Sequence, residues 1–264
     1  MRAAVLLLGG GLSLLACSPD GPPVESDAEA MTLQERRVET AGVPVAVLDS
    51  GPGERGPAFL LLHGAAFTKE DWVETGIAPR LAEAGYRVVA VDLPGGRGAT
   101  PAGGGEPAEF LLALMDSLGL EQPIVVTPSA SGRYALPALV RAPGRFAGLV
   151  AAAPVTIPQH KEALATCPVP ILGIWGSRDR IVPVAQGRVL ADTVPNGRLV
   201  VLEGASHPSW LNEPGRFGEL LLEFAASLGT ADEGGEAGGE AALESGGSGE
   251  TGGGDEDAAG SGAD

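Results

Sequence analysis

The stretch PIVVTPSASG, residues 123–132, joins a fully apolar run to a turn that holds two serines. A short apolar run followed by small and polar residues is typical of a strand buried on both faces of a parallel sheet. The junction between such a strand and the next helix is sharp, and it lifts one side chain above the edge of the sheet. The stretch therefore predicts both a strand of an α/β sheet and a site at its carboxyl end.

Two hydroxyls compete for the raised position, those of Ser129 and Ser131. With Ser129 at the top of the turn, Thr127 and Ser131 stand where the G-x-S-x-G pattern of esterases has glycine. Both residues are compact, and Gly132 adds clearance one position further on. With Ser131 at the top, the bulky Arg133 would crowd the turn. We therefore predict that Ser129 is the nucleophile.

Between residues 36 and 230, short apolar runs alternate with longer amphipathic segments, which predicts a mostly parallel sheet with helices on both faces. A hairpin is predicted at 36–49, and parallel strands are predicted at 59–64, 86–92, 123–128, 146–154, 170–176 and 198–204. Too few residues separate the fourth and fifth of these strands to form a lid domain. We expect a single α/β domain over residues 34–229.

Two more polar residues follow predicted strands at the same edge of the sheet. Asp179 comes after the strand at 170–176, and His207 comes after the last strand. In the order Ser, Asp, His, the histidine can take the serine proton while the carboxylate holds the imidazole in one tautomer. Asp179 and His207 could each simply cap a nearby helix. The three residues together favour a Ser129–Asp179–His207 triad.

Attack on a carbonyl group places negative charge on its oxygen, and that charge needs hydrogen-bond donors. The predicted donors are the backbone N–H groups of Ala130, directly after the serine, and of Ala65, in the turn after His63-Gly64. His63 itself is predicted to be structural, and His160 to be a solvated loop residue. This chemistry needs no metal ion and no organic cofactor.

These motifs resemble those of the α/β-hydrolase superfamily, and within it the small, lidless α/β hydrolase domain-containing protein 14 group, also called CCG-interacting factor B. The similar features are LLLHG with Phe67 and Trp72, LAEAGYRVVAVDLPG, the elbow PSASG with Tyr134, and GASHP. The resemblance extends over roughly residues 55 to 230. It implies an α/β-hydrolase fold, and it assigns the nucleophile, the acid and the base to Ser129, Asp179 and His207.

The N-terminus predicts export. Arg2 precedes an apolar run from 3 to 16, and the run ends in LLAC at Cys17, the pattern of a bacterial lipobox. We expect residues 1–16 to be a lipoprotein signal peptide and 17–33 to be a lipidated cysteine with a flexible tether. An ordinary signal peptide or a buried N-terminal helix are the alternatives. The expected location is the bacterial cell envelope, on its periplasmic or cell-surface face, anchored in the membrane through Cys17.

The C-terminal segment 230–264 contains ten Asp or Glu and no Lys or Arg, among Gly, Ala and Ser. Such a composition cannot build a core, and it predicts a disordered acidic tail. The formal net charge of the chain is −17, so the tail carries more than half of the acidity. Because an acidic chain without a basic patch repels polyanions, nucleic acid is not an expected partner.

The sequence favours a serine hydrolase that acts on a small acyl ester or acyl donor, by hydrolysis or acyl transfer through an acyl-Ser129 intermediate. The alternative is a non-catalytic envelope protein that keeps the fold and binds a partner through its acidic tail. Dehalogenase or epoxide-hydrolase chemistry is disfavoured, because it requires an aspartate in place of Ser129.

Overall fold

The computed structural model describes residues 33–97 and 105–233, with side chains as far as residue 229. In this part of the chain one sheet holds eight strands: β1 (Gln34–Thr40), β2 (Val43–Asp49), β3 (Arg55–Leu61), β4 (Tyr86–Val91), β5 (Ile124–Pro128), β6 (Gly148–Ala152), β7 (Ile171–Gly176) and β8 (Gly197–Leu202). Their order is β1-β2-β4-β3-β5-β6-β7-β8. The hairpin β1–β2 is antiparallel and β2 pairs antiparallel with β4, whereas β3 to β8 are parallel. The predicted fold class is confirmed.

Helices cover both faces of the sheet: α1 (Asp71–Glu74), α2 (Ile77–Glu83), α3 (Pro107–Ser117), α4 (Gly132–Arg141), α5 (Ile157–Leu164), α6 (Val184–Thr193), α7 (Ser209–Asn212) and α8 (Pro214–Glu233). Side chains of α3 to α6 share one apolar cluster, and side chains of α1, α2, α7 and α8 share the other. Successive side chains of a strand point to opposite faces of the sheet, so each strand contributes to both clusters. In β3, Leu60 lies in the first cluster, and Phe59 and Leu61 lie in the second.

The segment between β6 and β7 holds only the eight-residue α5, and the described residues include no separate lid domain, as predicted. The carboxyl ends of β5, β6, β7 and β8 lie at one edge of the sheet. The residues predicted as triad and oxyanion donors lie at this edge, whereas Cys17 is outside the described residues.

Several element boundaries differ by a few residues from those expected; strand β6, for example, spans Gly148–Ala152 rather than 146–154. Strand β3 begins at Arg55 rather than at residue 59, because its first residues are exposed and therefore give no apolar signal. Helix α8 ends at Glu233, beyond the expected domain boundary at 229. The predicted signal peptide at 1–16, nearly all of the tether and most of the acidic tail lie outside the described residues, so the domain boundaries stay predictions.

A buried ion pair ties the loop after β3 to the end of β4. The Lys69 ammonium lies 3.0 Å from Asp92 Oδ2, and the Lys69 backbone N–H donates to Asp92 Oδ1 at 2.9 Å. The two side chains are only 4% and 8% exposed. Burial works against the charge on Lys69, but hydrogen bonds to Glu70 and Asp92 outweigh it and hold the pKa of Lys69 above its usual range. Lys69 therefore stays charged, and its contacts with Asp92 fix the loop that begins at His63.

Replacing Lys69 by methionine should lower the free energy of unfolding by about 3 kcal/mol, because a buried carboxylate loses its cation. Urea denaturation of the full chain measures the change. Arg80→Gln is the matched control: Arg80 pairs with Glu219 at 3.4 Å, but these side chains are 41% and 47% exposed. Exposed pairs contribute at most about 1 kcal/mol. Equal losses in the two variants would show that the buried pair does not hold the loop.

Candidate active site

The backbone at Ser129 turns sharply between strand and helix. Its φ is +50°, a left-handed value that is uncommon for residues other than glycine. A single 3-10 turn, Ser129–Ser131, follows, and α4 begins directly after it. The backbone N–H of Val155 donates to the Ser129 carbonyl at 2.9 Å, which holds the strained residue against the loop after β6. The predicted elbow is therefore present.

The two hydroxyls that flank Ser129 support this elbow from below. Thr127 and Ser131 are buried, and their hydroxyl oxygens lie 3.0 Å apart. Ser131 Oγ donates to the carbonyl oxygen of Pro128 at 2.8 Å, so Thr127 is the donor in the contact between the two side chains. Ser131 is thus committed to internal hydrogen bonds, which leaves Ser129 as the serine raised at the edge of the sheet. The sequence showed only that these flanking residues are compact.

The structure brings the three predicted triad residues together. His207 Nε2 lies 2.8 Å from Ser129 Oγ, and His207 Nδ1 lies 2.7 Å from Asp179 Oδ2. The imidazole is 12% exposed, whereas the carboxylate is fully buried. Because Nδ1–H donates to the carboxylate, Nε2 is free to accept the Ser129 hydroxyl proton.

The capping interpretation fits one of these residues and not the other. Asp179 Oδ1 accepts the N–H groups of Ile181 and Val182 at 2.8 and 2.9 Å, so the carboxylate also closes the turn that leads into α6. These bonds orient Oδ2 towards the imidazole. His207 does not cap α7, whose N-terminus receives no side-chain hydrogen bond.

The loops that carry Asp179 and His207 are held side by side. The Arg178 backbone N–H donates to the Ala205 carbonyl at 2.9 Å. Strand β7 ends in Gly176, where a Cβ atom would stand only 2.4 Å from the same carbonyl oxygen. Only glycine allows this approach, and the approach brings the acid and the base within hydrogen-bonding distance.

A pocket of about 40 Å³ adjoins the elbow, between the turn after β3, the loop after β4 and the start of α4. Both predicted oxyanion donors, Ala65 and Ala130, line it. Within the described residues the Ala65 N–H donates no hydrogen bond, although the turn around it is closed by Phe67 N–H donating to Gly64 O at 3.1 Å. Arg133 also lines the pocket. The sequence did not indicate this position, because Arg133 was considered there only as a bulky residue that would crowd a turn around Ser131.

Of the other two histidines, His63 is structural, as predicted. It is 2% exposed; its Nδ1–H donates to Gly64 O at 2.8 Å and its Nε2 accepts the Leu93 N–H at 2.9 Å. His160 differs from the prediction, because it lies in helix α5 and not in a solvated loop. Partial burial of its imidazole lowers the pKa of His160. Across 33–97 and 105–233, no three His, Cys, Asp or Glu side chains converge on a metal site.

Comparisons with known proteins agree with this geometry. Residues 57–167 match the family model of the α/β hydrolase fold. The chain is 39% identical over 207 residues to the rat protein named "Putative protein-lysine deacylase ABHD14B", which spans 74% of this chain and 97% of the rat protein. The human protein of the same name is 35% identical over 210 residues, which span 76% of this chain and 99% of the human protein.

Among solved structures, a CIB-like hydrolase from Thermoplasma acidophilum has a TM-score of 0.69 at 24% identity. The match covers 74% of this chain and 98% of that one. At this level of identity the similarity supports the fold alone.

The predicted location on the bacterial cell envelope is wrong. The rat and human relatives, which span about three quarters of this chain, are animal proteins, and this contradicts a bacterial lipid-anchored protein. The proposed anchor residue, Cys17, lies outside the described residues, and no comparison supports its lipidation. No helix within the described ranges is long and apolar enough to cross a membrane.

Gly132 allows α4 to start tightly against the loop after β6. A Cβ atom there would lie 2.5 Å from Val155 O and 2.8 Å from Pro154 Cβ. Because backbone atoms cannot move aside, Gly132→Ala should lower the free energy of unfolding by about 1 to 3 kcal/mol. In the control Gly215→Ala, the new Cβ meets nothing within 4 Å. Urea denaturation compares the variants, and wild-type stability of Gly132→Ala would refute the tight packing of the elbow.

Proposed function

The chain is a hydrolase of the ABHD14 group within the α/β-hydrolase family, and from this premise we propose that it is a serine hydrolase whose nucleophile is Ser129. One observation carries the proposal. The Ser129 hydroxyl, the His207 imidazole and the buried Asp179 carboxylate form a continuous chain of hydrogen bonds of 2.8 and 2.7 Å. Such a chain activates a hydroxyl that is unreactive by itself at neutral pH.

In the first step, Ser129 Oγ attacks the carbonyl carbon of the substrate while His207 Nε2 takes the hydroxyl proton. A new C–O bond forms, and the π electron pair of the carbonyl moves onto its oxygen. The resulting imidazolium is stabilised by Asp179, which remains ionised throughout. The hydrogen bonds from Ile181 and Val182 fix this carboxylate, so it does not have to reorganise as the charge develops.

The negative oxygen is stabilised by the backbone N–H groups of Ala65 and Ala130. Both residues line the same pocket, Ala65 from the turn after β3 and Ala130 from the elbow itself. Ala130 also belongs to the turn that precedes α4, where the helix dipole favours negative charge. Each such donor contributes on the order of 3 kcal/mol to lowering the barrier.

The intermediate collapses when His207 returns its proton to the leaving group. The bond between the carbonyl carbon and the leaving group breaks, and an acyl-Ser129 ester remains. Water or another nucleophile then attacks this ester, with His207 again taking and returning a proton. The second half-reaction determines whether the enzyme hydrolyses or transfers the acyl group. The small pocket, together with the absence of a lid domain from the described residues, supports small acyl esters as substrates.

Hydrolysis of an acyl-lysine amide is a second candidate. The observation that favours it is the name of the rat relative, a protein-lysine deacylase that is 39% identical over nearly its whole length. The acyl-enzyme would be the same. An amine is a poorer leaving group than an alcohol, however, so the reaction depends more strongly on the proton that His207 supplies.

A fluorophosphonate probe tests the nucleophile. We expect one phosphonyl group on the full chain, attached at Ser129 Oγ with loss of fluoride, because among the described residues no other hydroxyl contacts a histidine. Intact mass and peptide mass spectrometry measure the labelling. Ser129→Ala should abolish it, whereas Ser131→Ala should retain it, since Ser131 Oγ is turned towards Pro128. Labelling at Ser131, or none at all, would refute the proposal.

Substrate class is tested by comparing p-nitrophenyl acetate with an acetyl-lysine peptide. If the ester is the natural bond type, its kcat/KM should exceed that of the peptide by orders of magnitude, and Ser129→Ala should lower it by at least about 10³-fold. The ester is followed by absorbance and the peptide by mass spectrometry. A peptide kcat/KM equal to that of the ester would make the acyl-lysine candidate the better description.

A further inference from the structure

Arg133 gives the pocket its charge. Among the described residues that line the pocket, Arg133 is the one Arg, Lys, Asp or Glu. The ring nitrogens of His63, which also lines the pocket, are both hydrogen-bonded to backbone groups. Arg133 is exposed, and its Nε–H donates to the Ala130 carbonyl at 3.3 Å. The guanidinium therefore stands beside a residue whose N–H is a proposed oxyanion donor.

This cation is not neutralised by its neighbours in the described part of the chain. No carboxylate there lies within 4.0 Å of the Arg133 guanidinium, whereas Arg141, at the other end of α4, pairs with Glu106 and Glu109 at 3.7 and 2.9 Å. The segment 98–104, which continues the loop after β4, reads GATPAGG and contains no acid. Arg133 therefore has no ion-pair partner among the described residues, and its position beside the elbow is what sets it apart.

The residue after Arg133 also lines the pocket. The Tyr134 hydroxyl donates to the Pro94 carbonyl at 3.2 Å, which ties α4 to the loop after β4. Burial raises the pKa of Tyr134, and the charge of Arg133 acts in the opposite direction. The pocket therefore combines the charge of Arg133 with a phenol ring that a hydrogen bond fixes in place.

We propose that the site selects substrates that carry a negatively charged group, such as a carboxylate, close to the scissile acyl bond, and that Arg133 is the residue that determines this specificity. A guanidinium presents several N–H donors in a plane and matches a carboxylate with two parallel hydrogen bonds. The Ala130 carbonyl accepts the Nε–H of Arg133, and because no acid pairs with the guanidinium among the described residues, its Nη donors are available. The inference rests on the proposed serine hydrolase and adds its substrate class.

The anionic group can belong to the acyl part or to the leaving group, and two matched pairs of esters distinguish these sources. Mono-p-nitrophenyl adipate and p-nitrophenyl hexanoate have acyl chains of equal length, with and without a terminal carboxylate. 3-Acetoxybenzoate and 3-methylphenyl acetate place the same difference on the leaving group. For each pair, the ratio of kcat/KM for the anionic ester to that for the neutral ester measures the preference.

In the wild-type full chain we expect at least one ratio to favour the anionic ester after correction for spontaneous hydrolysis. Arg133→Gln should lower that ratio about tenfold. This factor corresponds to the low end of the free-energy range for a hydrogen bond to a charged group, as expected at an exposed position. Arg133→Lys should retain most of it. Arg141→Gln removes one positive charge from the same helix away from the pocket, and it should leave the ratio as in wild type. Added salt should lower the wild-type ratio.

Two kinetic outcomes overturn the proposal: a wild-type protein without anionic preference in either pair, or an Arg133→Gln variant that keeps the wild-type ratio. A binding measurement separates this failure from a failure of the proposed function. In Ser129→Ala, which cannot form the acyl-enzyme, calorimetry should give a lower Kd for the anionic ester than for its neutral partner, and Ser129→Ala/Arg133→Gln should lose the difference. If the fluorophosphonate probe does not label Ser129 but the two esters still differ in Kd, only the assignment of the nucleophile is refuted. If the anionic and neutral esters have equal Kd values, the anion site is refuted.

Discussion

The left-handed turn of the backbone at Ser129 is the constraint on which the site depends. A positive φ at a serine is costly, and it persists only where the surroundings leave the chain no alternative. Here β5 arrives fully buried, Thr127 and Ser131 bind each other beneath the turn, and Val155 holds the Ser129 carbonyl. The turn raises the hydroxyl out of the sheet to the height at which His207 can reach it.

The other parts of the site reach Ser129 because parallel strands end at one edge of the sheet and their loops are locked to one another. His63 and Lys69 each tie the turn after β3 to the end of β4. The backbone contact between Arg178 and Ala205 joins the loops after β7 and β8. Each connection fixes a donor or a base before any substrate binds, and such preorganisation is a large part of what an enzyme contributes to a reaction.

The charge beside Ser129 differs in sign from that of the chain as a whole. The formal net charge of the chain is −17, yet the described residues that line the pocket include Arg133 and no carboxylate. The buried carboxylates of Asp92 and Asp179 near the site are already paired, with Lys69 and His207. An anion that approaches this edge therefore meets a positive side chain rather than the net negative charge of the chain.

Much of the architecture could be predicted from the sequence alone, because strands that are buried on both faces appear as short apolar runs. The six apolar runs are the six parallel strands, and the order Ser129, Asp179, His207 placed all three at strand ends. Local patterns had limits: the exposed start of β3 gave no apolar signal, and the motif at Cys17 led to a bacterial location that the animal relatives contradict. Only the tertiary structure showed the Thr127–Ser131 hydrogen bond beneath the elbow, the Lys69–Asp92 pair and the position of Arg133 on the pocket wall. These contacts depend on side-chain direction and on distances between loops far apart in sequence, which periodicity does not record.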